Sequence, residues 1–199
     1  MTAIVAAGFY GKLPARGDFV RAGLPRDFVD AWDRWWQSMI SASRESLGEA
    51  WVPAWLEAPV WRFTLPAGLC GAGSVMGVWM PSVDRAGRYF PLTIAAVAGP
   101  DDWSDLEGAP LDFLAAAEQA GLDALEQDLT PETMVQRIAA GRAALVAPVA
   151  AARAGAPRSY WWTEGGPRVA ACSTSVAGLP DRVAFMGMLD DRWAADGAS

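Results

Sequence analysis

Between two apolar runs, residues 71–80 and 92–97, the chain carries Pro81-Ser-Val-Asp-Arg-Ala-Gly-Arg-Tyr-Phe-Pro91. Short, continuously apolar runs bounded by turn residues are the pattern of buried strands. Each proline lacks a backbone donor and belongs at a strand end or edge, and Gly87 supplies the positive φ of a tight turn. The segment therefore predicts a strand, a stiff polar connection and a returning strand. A charged connection held beside a core is costly unless its charges are paired, so Asp84, Arg85 and Arg88 are the first residues to account for.

The rest of the chain supplies cover for such strands. Residues 4–9 read as a first strand, running into a loop over 11–19 that holds Lys12, Arg16 and Asp18 among two glycines and a proline. The clearest helix spans 26–47, with Phe28, Trp32, Trp35, Trp36 and Met39 on one broad face and Gly48 as its stop. A short helical turn is expected over 51–56. Residues 60–65 alternate apolar and polar side chains, which predicts a strand with one wet face. An acidic loop over 99–105 leads to two helices, 110–128 and 131–152, the second opened by Thr130 as cap and Pro131 at the first helical position. Residues 159–163 and 169–173 predict a hairpin around Gly165-Gly166-Pro167, and 181–190 a last helix. Strands before, between and after helices give an α/β chain: one domain over 1–199, with a mixed or antiparallel sheet covered by helices on both faces.

Composition excludes several function classes. With 16 basic against 23 acidic residues the formal charge is -7, contrary to what phosphate-rich nucleic acid or an anionic membrane surface attracts; a protein partner fits better. Histidine is absent and Lys12 is the only lysine, which removes the commonest general base and metal ligand. Cys70 and Cys172 stand far apart in no metal-ligand spacing, consistent with a reducing, cytoplasmic setting. No basic segment precedes the apolar residues 1–9, so no signal peptide is expected, and Arg142 interrupts the best candidate for a membrane span. The glycine-rich link over 68–74 lacks the third glycine of a dinucleotide fingerprint, Met76 standing in its place, and a strand follows it instead of a helix. Arg16-Gly-Asp18 reads as a chance adhesion tripeptide. The adjacent acids Asp101 with Asp102, and Asp190 with Asp191, read as solvated loop. No cofactor or metal is implied.

The remaining polar constellation has two readings. In one, Asp84 caps the turn's N–H groups while an arginine forks onto its carboxylate, and the group is an internal ion pair. In the other, Arg85 and Arg88 face outward to hold an acidic or phosphorylated partner. Lys12, Arg16 and Asp18 divide in the same way. Catalysis is the weaker branch, because Ser82 has no neighbouring base.

Several blocks carry a further signal: residues 8–20 (Gly-Phe-Tyr-Gly-Lys-Leu-Pro-Ala-Arg-Gly-Asp-Phe-Val), Trp32-Asp33, 58–63 (Ala-Pro-Val-Trp-Arg-Phe), 81–91, Tyr160-Trp-Trp-Thr163 and Gly178-Leu-Pro180. In this order they resemble the TagF (ImpM) family of proteins associated with bacterial type VI secretion. The resemblance implies a three-layer α/β/α sandwich with a mixed, largely antiparallel sheet. It also implies a cytoplasmic accessory protein of a Gram-negative secretion system, acting as a post-translational repressor and linked to a forkhead-associated scaffold protein. No catalytic residue is carried over; Lys12, Arg16, Asp18, Asp84, Arg85 and Arg88 are the polar members of the matching blocks. The alternative is a ligand-sensing or hydrolytic domain using loops 12–18 and 81–91, which requires both to line one pocket. A third reading is a purely structural part of the apparatus.

Overall fold

The computed structural model describes residues 4–99, 111–127, 129–141 and 157–193. The two apolar runs are β4 (Val75–Met80) and β5 (Leu92–Ala98), antiparallel neighbours in which every residue is buried. They lie at the middle of a seven-stranded sheet of order β2-β1-β5-β4-β3-β6-β7. The other strands are β1 (Ile4–Gly11), β2 (Val20–Ala22), β3 (Trp61–Leu65), β6 (Arg158–Thr163) and β7 (Cys172–Ala177). Every ladder is antiparallel, so the sheet is not mixed. The short connections from β3 to β4 and from β4 to β5 can only reverse the chain, since a parallel neighbour needs a crossover of about a dozen residues or more.

Strand alternation divides the core into two clusters. Trp61, Phe63, Leu65, Val75, Trp79, Val97 and Trp161 join α1 (Arg26–Leu47), α2 (Trp51–Leu56) and α5 (Arg182–Leu189). Met76, Val78, Met80, Leu92, Ile94 and Ala96 join α3 (Leu111–Glu126) and α4 (Pro131–Gly141). The aromatic stripe of α1 meets the sheet as its spacing predicts: Trp32 is fully buried and stacks on Phe63, ring centroids 4.8 Å apart, and on Trp161 at 6.1 Å. Its indole N–H donates to Thr93 Oγ1 at 3.0 Å, so the ring is buried without leaving a polar atom orphaned. Each such ring contributes about 2–3 kcal/mol through burial, which fixes α1 across the sheet. Gly48, at φ 53°, ends it.

Three expectations change. The polar face of β3 is not wet: Thr64 is fully buried, and Arg62 forks onto Glu118 of α3 at 2.8 Å and onto Glu164 at 2.7 Å. Alternation finds the face of a strand but not the helix that will cover it. The return strand of the last hairpin begins later than residue 169, with Thr163 opposite Cys172 and Trp161 opposite Thr174. Val169 is buried against the α1 cluster and accepts from the Gly166 N–H at 2.8 Å, so it anchors the loop rather than the ladder. Strand β2 was not foreseen, because three residues are too short to show a period. Thr130 does cap α4, its Oγ1 accepting from the Thr133 N–H at 3.3 Å. Residues 100–105 of the acidic loop and 142–152 of the second predicted helix lie outside the described residues.

Candidate functional site

The 81–91 connection folds as a miniature hairpin. Val83 bridges Tyr89, Phe90 N donates to Ser82 O at 3.2 Å, Asp84 N to Arg88 O at 3.0 Å, and Gly87 turns the tip at φ 77°. Asp84 points inward. Its Oδ1 accepts from the backbone N–H groups of Ala86 and Arg88, both at 2.9 Å, and its Oδ2 from Arg88 Nε at 2.8 Å and from Lys12 Nζ.

Lys12 arrives from β1 by a constraint of backbone geometry. Gly11 sits at φ 145°, and a Cβ there would stand 2.0 Å from Pro91 O, a position only glycine can fill. The chain thus passes flush against the end of the 81–91 hairpin, where Ser82 Oγ donates to Lys12 O at 2.8 Å and Trp55 Nε1 donates to Ser82 O at 3.2 Å. The Lys12 ammonium also lies 4.6 Å from the centroid of Phe19, whose ring stacks on Tyr10.

Lys12 and Asp84 are 4% and 3% exposed. Burial alone would raise the Asp84 pKa; Lys12, Arg88 and the two N–H groups outweigh it and hold the carboxyl well below the usual carboxylate range. A buried pair with every lone pair used is a structural feature whose loss on one side costs about 3–5 kcal/mol.

The other predicted residues ring this centre. Arg85 N donates to Arg16 O at 3.1 Å, and the Arg88 guanidinium bonds Gly17 O, so the loops over 12–18 and 81–91 meet. Arg16, Asp18 and Arg85 are exposed. With Phe19, Pro131 and Glu132 they line an open depression of about 440 Å³. Glu132, at the start of α4, is held below the usual carboxylate range by its own N–H, by the Thr130 hydroxyl and, less strongly, by Arg16. All six candidates therefore gather in one place, three in a centre where Lys12 and Arg88 share the Asp84 carboxylate and three on its rim.

That arrangement offers little for catalysis. The Ser82 hydroxyl is spent on a backbone carbonyl and Lys12 is held by Asp84, so neither forms a nucleophile–base pair with the other described residues of the two loops. Among the described residues no group of three His, Cys, Asp or Glu side chains is placed to hold a metal.

A second polar cluster was missed. Asp190 is 1% exposed rather than solvated, accepting from Arg192 Nη2 at 2.5 Å and Arg168 Nη1 at 3.1 Å, while Arg168 also reaches Glu57 at 2.6 Å. The arginines, Arg192 foremost, lower the Asp190 pKa to about 2 against the opposing effect of burial. Arg192, two residues on, was the local signal, whereas Arg168, 22 residues away, cannot be read from local sequence.

Fold and site together define an α/β protein whose seven-stranded antiparallel sheet is closed at one end by two loops tied together through a buried Lys12–Asp84 ion pair. The model of the TagF N-terminal domain, type VI secretion system-associated, matches residues 8–140, which include both loops. The chain belongs to the TagF family. It is also similar to the crystal structure of PA0076 from Pseudomonas aeruginosa PAO1, with 37% sequence identity, a TM-score of 0.82, and coverage of 93% of this chain and 94% of that one. No curated protein matches it. Among the described residues no helix is long and apolar enough to cross a membrane.

Proposed function

We propose that this type VI secretion-associated protein is a non-catalytic regulator in the cytoplasm, repressing secretion after translation by binding a forkhead-associated scaffold protein. The observation that carries this reading is the saturated carboxylate at the centre: Asp84 accepts from four donors, which leaves it no capacity to take a proton from a substrate. What the two loops present outward is the rim, where Arg16 and Arg85 are the exposed cations available to a protein surface. We read the two helix groups, one on each cluster of the sheet, as the outer layers of a three-layer α/β/α sandwich that holds both loops rigid, with 1–199 as a single domain.

The experiment is deletion of the gene in a host with an active type VI system, followed by complementation with wild type and with Arg16→Ala/Arg85→Ala. Deletion raises effector secretion, wild type restores repression, and the double variant restores it less while melting at the wild-type temperature. Secretion unchanged or lowered on deletion refutes the reading. The ligand-sensing alternative draws support from the depression the two loops share; a small-molecule screen by thermal shift, with no stabilising hit lost in the Arg16→Ala/Arg85→Ala variant, removes it.

A further inference from the structure

At the far edge of the sheet from β2, strand β7 pairs, among the described residues, with β6 alone. The phase of that ladder follows from one bond: Gly178 N donates to Pro157 O at 2.9 Å, which makes Arg158 and Ala177 a facing pair without mutual hydrogen bonds. By alternation Tyr160 with Ser175, and Trp162 with Ser173, are pairs of the same kind. In such pairs the N–H and C=O groups of each residue turn away from the partner strand. Ser173, Ser175 and Ala177 therefore aim theirs at the open edge.

Natural edge strands are usually blunted by lysine, proline, a bulge or brevity. Edge strand β2 has three residues. By contrast β7 has six, Cys-Ser-Thr-Ser-Val-Ala, with no charge, no proline and an unshifted register. Among the described residues one side chain covers it. The exposed Arg158 reaches across from β6, its Nη2 donating to Ser175 O at 2.6 Å and its Nε to Ser175 Oγ at 2.9 Å. Among the described residues the outward N–H groups of Ser173, Ser175 and Ala177 have no partner.

We propose that β7 is a docking edge for an extended acidic segment of a protein partner, added as an eighth strand, antiparallel to β7. The segment's N–H replaces Arg158 at Ser175 O, and a carboxylate opposite Ser175 takes the released guanidinium in a forked pair. The charge at the edge decides the occupant. A second copy of the chain paired there would bring a second Arg158 and, since β7 carries no acid, no carboxylate to receive either guanidinium. The chain's overall charge of -7 acts at longer range and is screened beyond about 8 Å at physiological salt, whereas Arg158 would be in direct contact.

The test titrates the ¹⁵N-labelled full chain with two ten-residue peptides of alternating threonine and valine, identical except for a central glutamate or lysine, up to millimolar concentration. Shifts at the amides of Ser173, Ser175 and Ala177 with the glutamate peptide, and affinity at least about tenfold weaker with the lysine peptide, are expected. Arg158→Glu, a surface change checked by its melting temperature, reverses that preference. Ser175→Pro, which removes an outward N–H together with the hydroxyl that Arg158 Nε meets, abolishes binding of both peptides. No shift at these amides, equal binding of both peptides, or a preference unchanged in Arg158→Glu overturns the proposal. So does a wild-type dimer in sedimentation that Ser175→Pro dissolves, since it assigns the edge to a second copy.

Discussion

Asp84→Asn isolates the contribution of the buried pair with little change of shape. The amide still accepts the Ala86 and Arg88 N–H groups through its oxygen, but Lys12, 4% exposed, keeps its charge and loses its counter-charge. An uncompensated buried ammonium costs about 3–5 kcal/mol, a large share of the roughly 5–15 kcal/mol that holds a domain folded. At about 2–4 °C per kcal/mol for a chain of this size, the melting temperature should fall by roughly 6–20 °C. Adding Lys12→Met removes the stranded charge and sets a thioether beside the Phe19 ring, which lies 4.6 Å from the present ammonium. The double variant should recover at least half of the loss. Thermal and urea unfolding followed by near-ultraviolet circular dichroism would read both, the tryptophan core providing the signal. A loss under about 1 kcal/mol for Asp84→Asn would mean that the pair behaves as an exposed one; a double variant no better than the single would mean that the lysine charge is not the source of the cost. Either result refutes the argument.

Three further outcomes follow from the same structure. Both Asp84 and Asp190 have folded pKa values below the unfolded carboxylate value of about 3.9; the stability they contribute is full above that pH and is lost as pH falls through the folded values. Urea midpoints should therefore drop from about pH 4 toward pH 2, and Arg192→Ala, which raises the Asp190 value of about 2, should shallow that drop; a midpoint flat over this range contradicts it. Gly11→Ala, forced to φ 145° with a Cβ 2.0 Å from Pro91 O, should destabilise by about 1–3 kcal/mol or more, whereas Gly87→Ala at the open tip should lose only about 1 kcal/mol; comparable losses in urea melts would show that contact with Pro91 is not what requires glycine. Cys70 is buried, its thiol pushed up to about 12 by desolvation, whereas Cys172 is exposed; a disulfide reagent should titrate one thiol in the native protein and two in denaturant, and two fast native thiols would contradict the packing.

The fold was largely legible because its signals are periodic. The α1 stripe of Phe28, Trp32, Trp36 and Met39 and the apolar runs of β4 and β5 each state which way a residue faces. The site was legible in its membership, since charged residues between prolines and glycines must be accounted for wherever they fall. Pairing was not legible. Nothing local to Lys12 names Asp84, 72 residues on, and nothing near Asp190 names Arg168 or Glu57. The cover over Thr64 and Arg62 was hidden for the same reason: it belongs to α3, and a strand's own sequence carries no trace of the helix laid on it. The antiparallel sheet, with the last hairpin closing several residues later than expected, reflects loop geometry that only Val169 and the Gly166 N–H reveal.

The sheet order also imposes a schedule on synthesis. Strand β1 ends at Gly11, and the strand it lies against along its whole length, β5, does not begin until Leu92. At roughly 5–20 residues per second, that is an interval of about 4–16 s during which β1 has only the three residues of β2 beside it. Asp84 lies in the connection that leads into β5, so the counter-charge for Lys12 is made only just before the strand that holds β1 in the sheet.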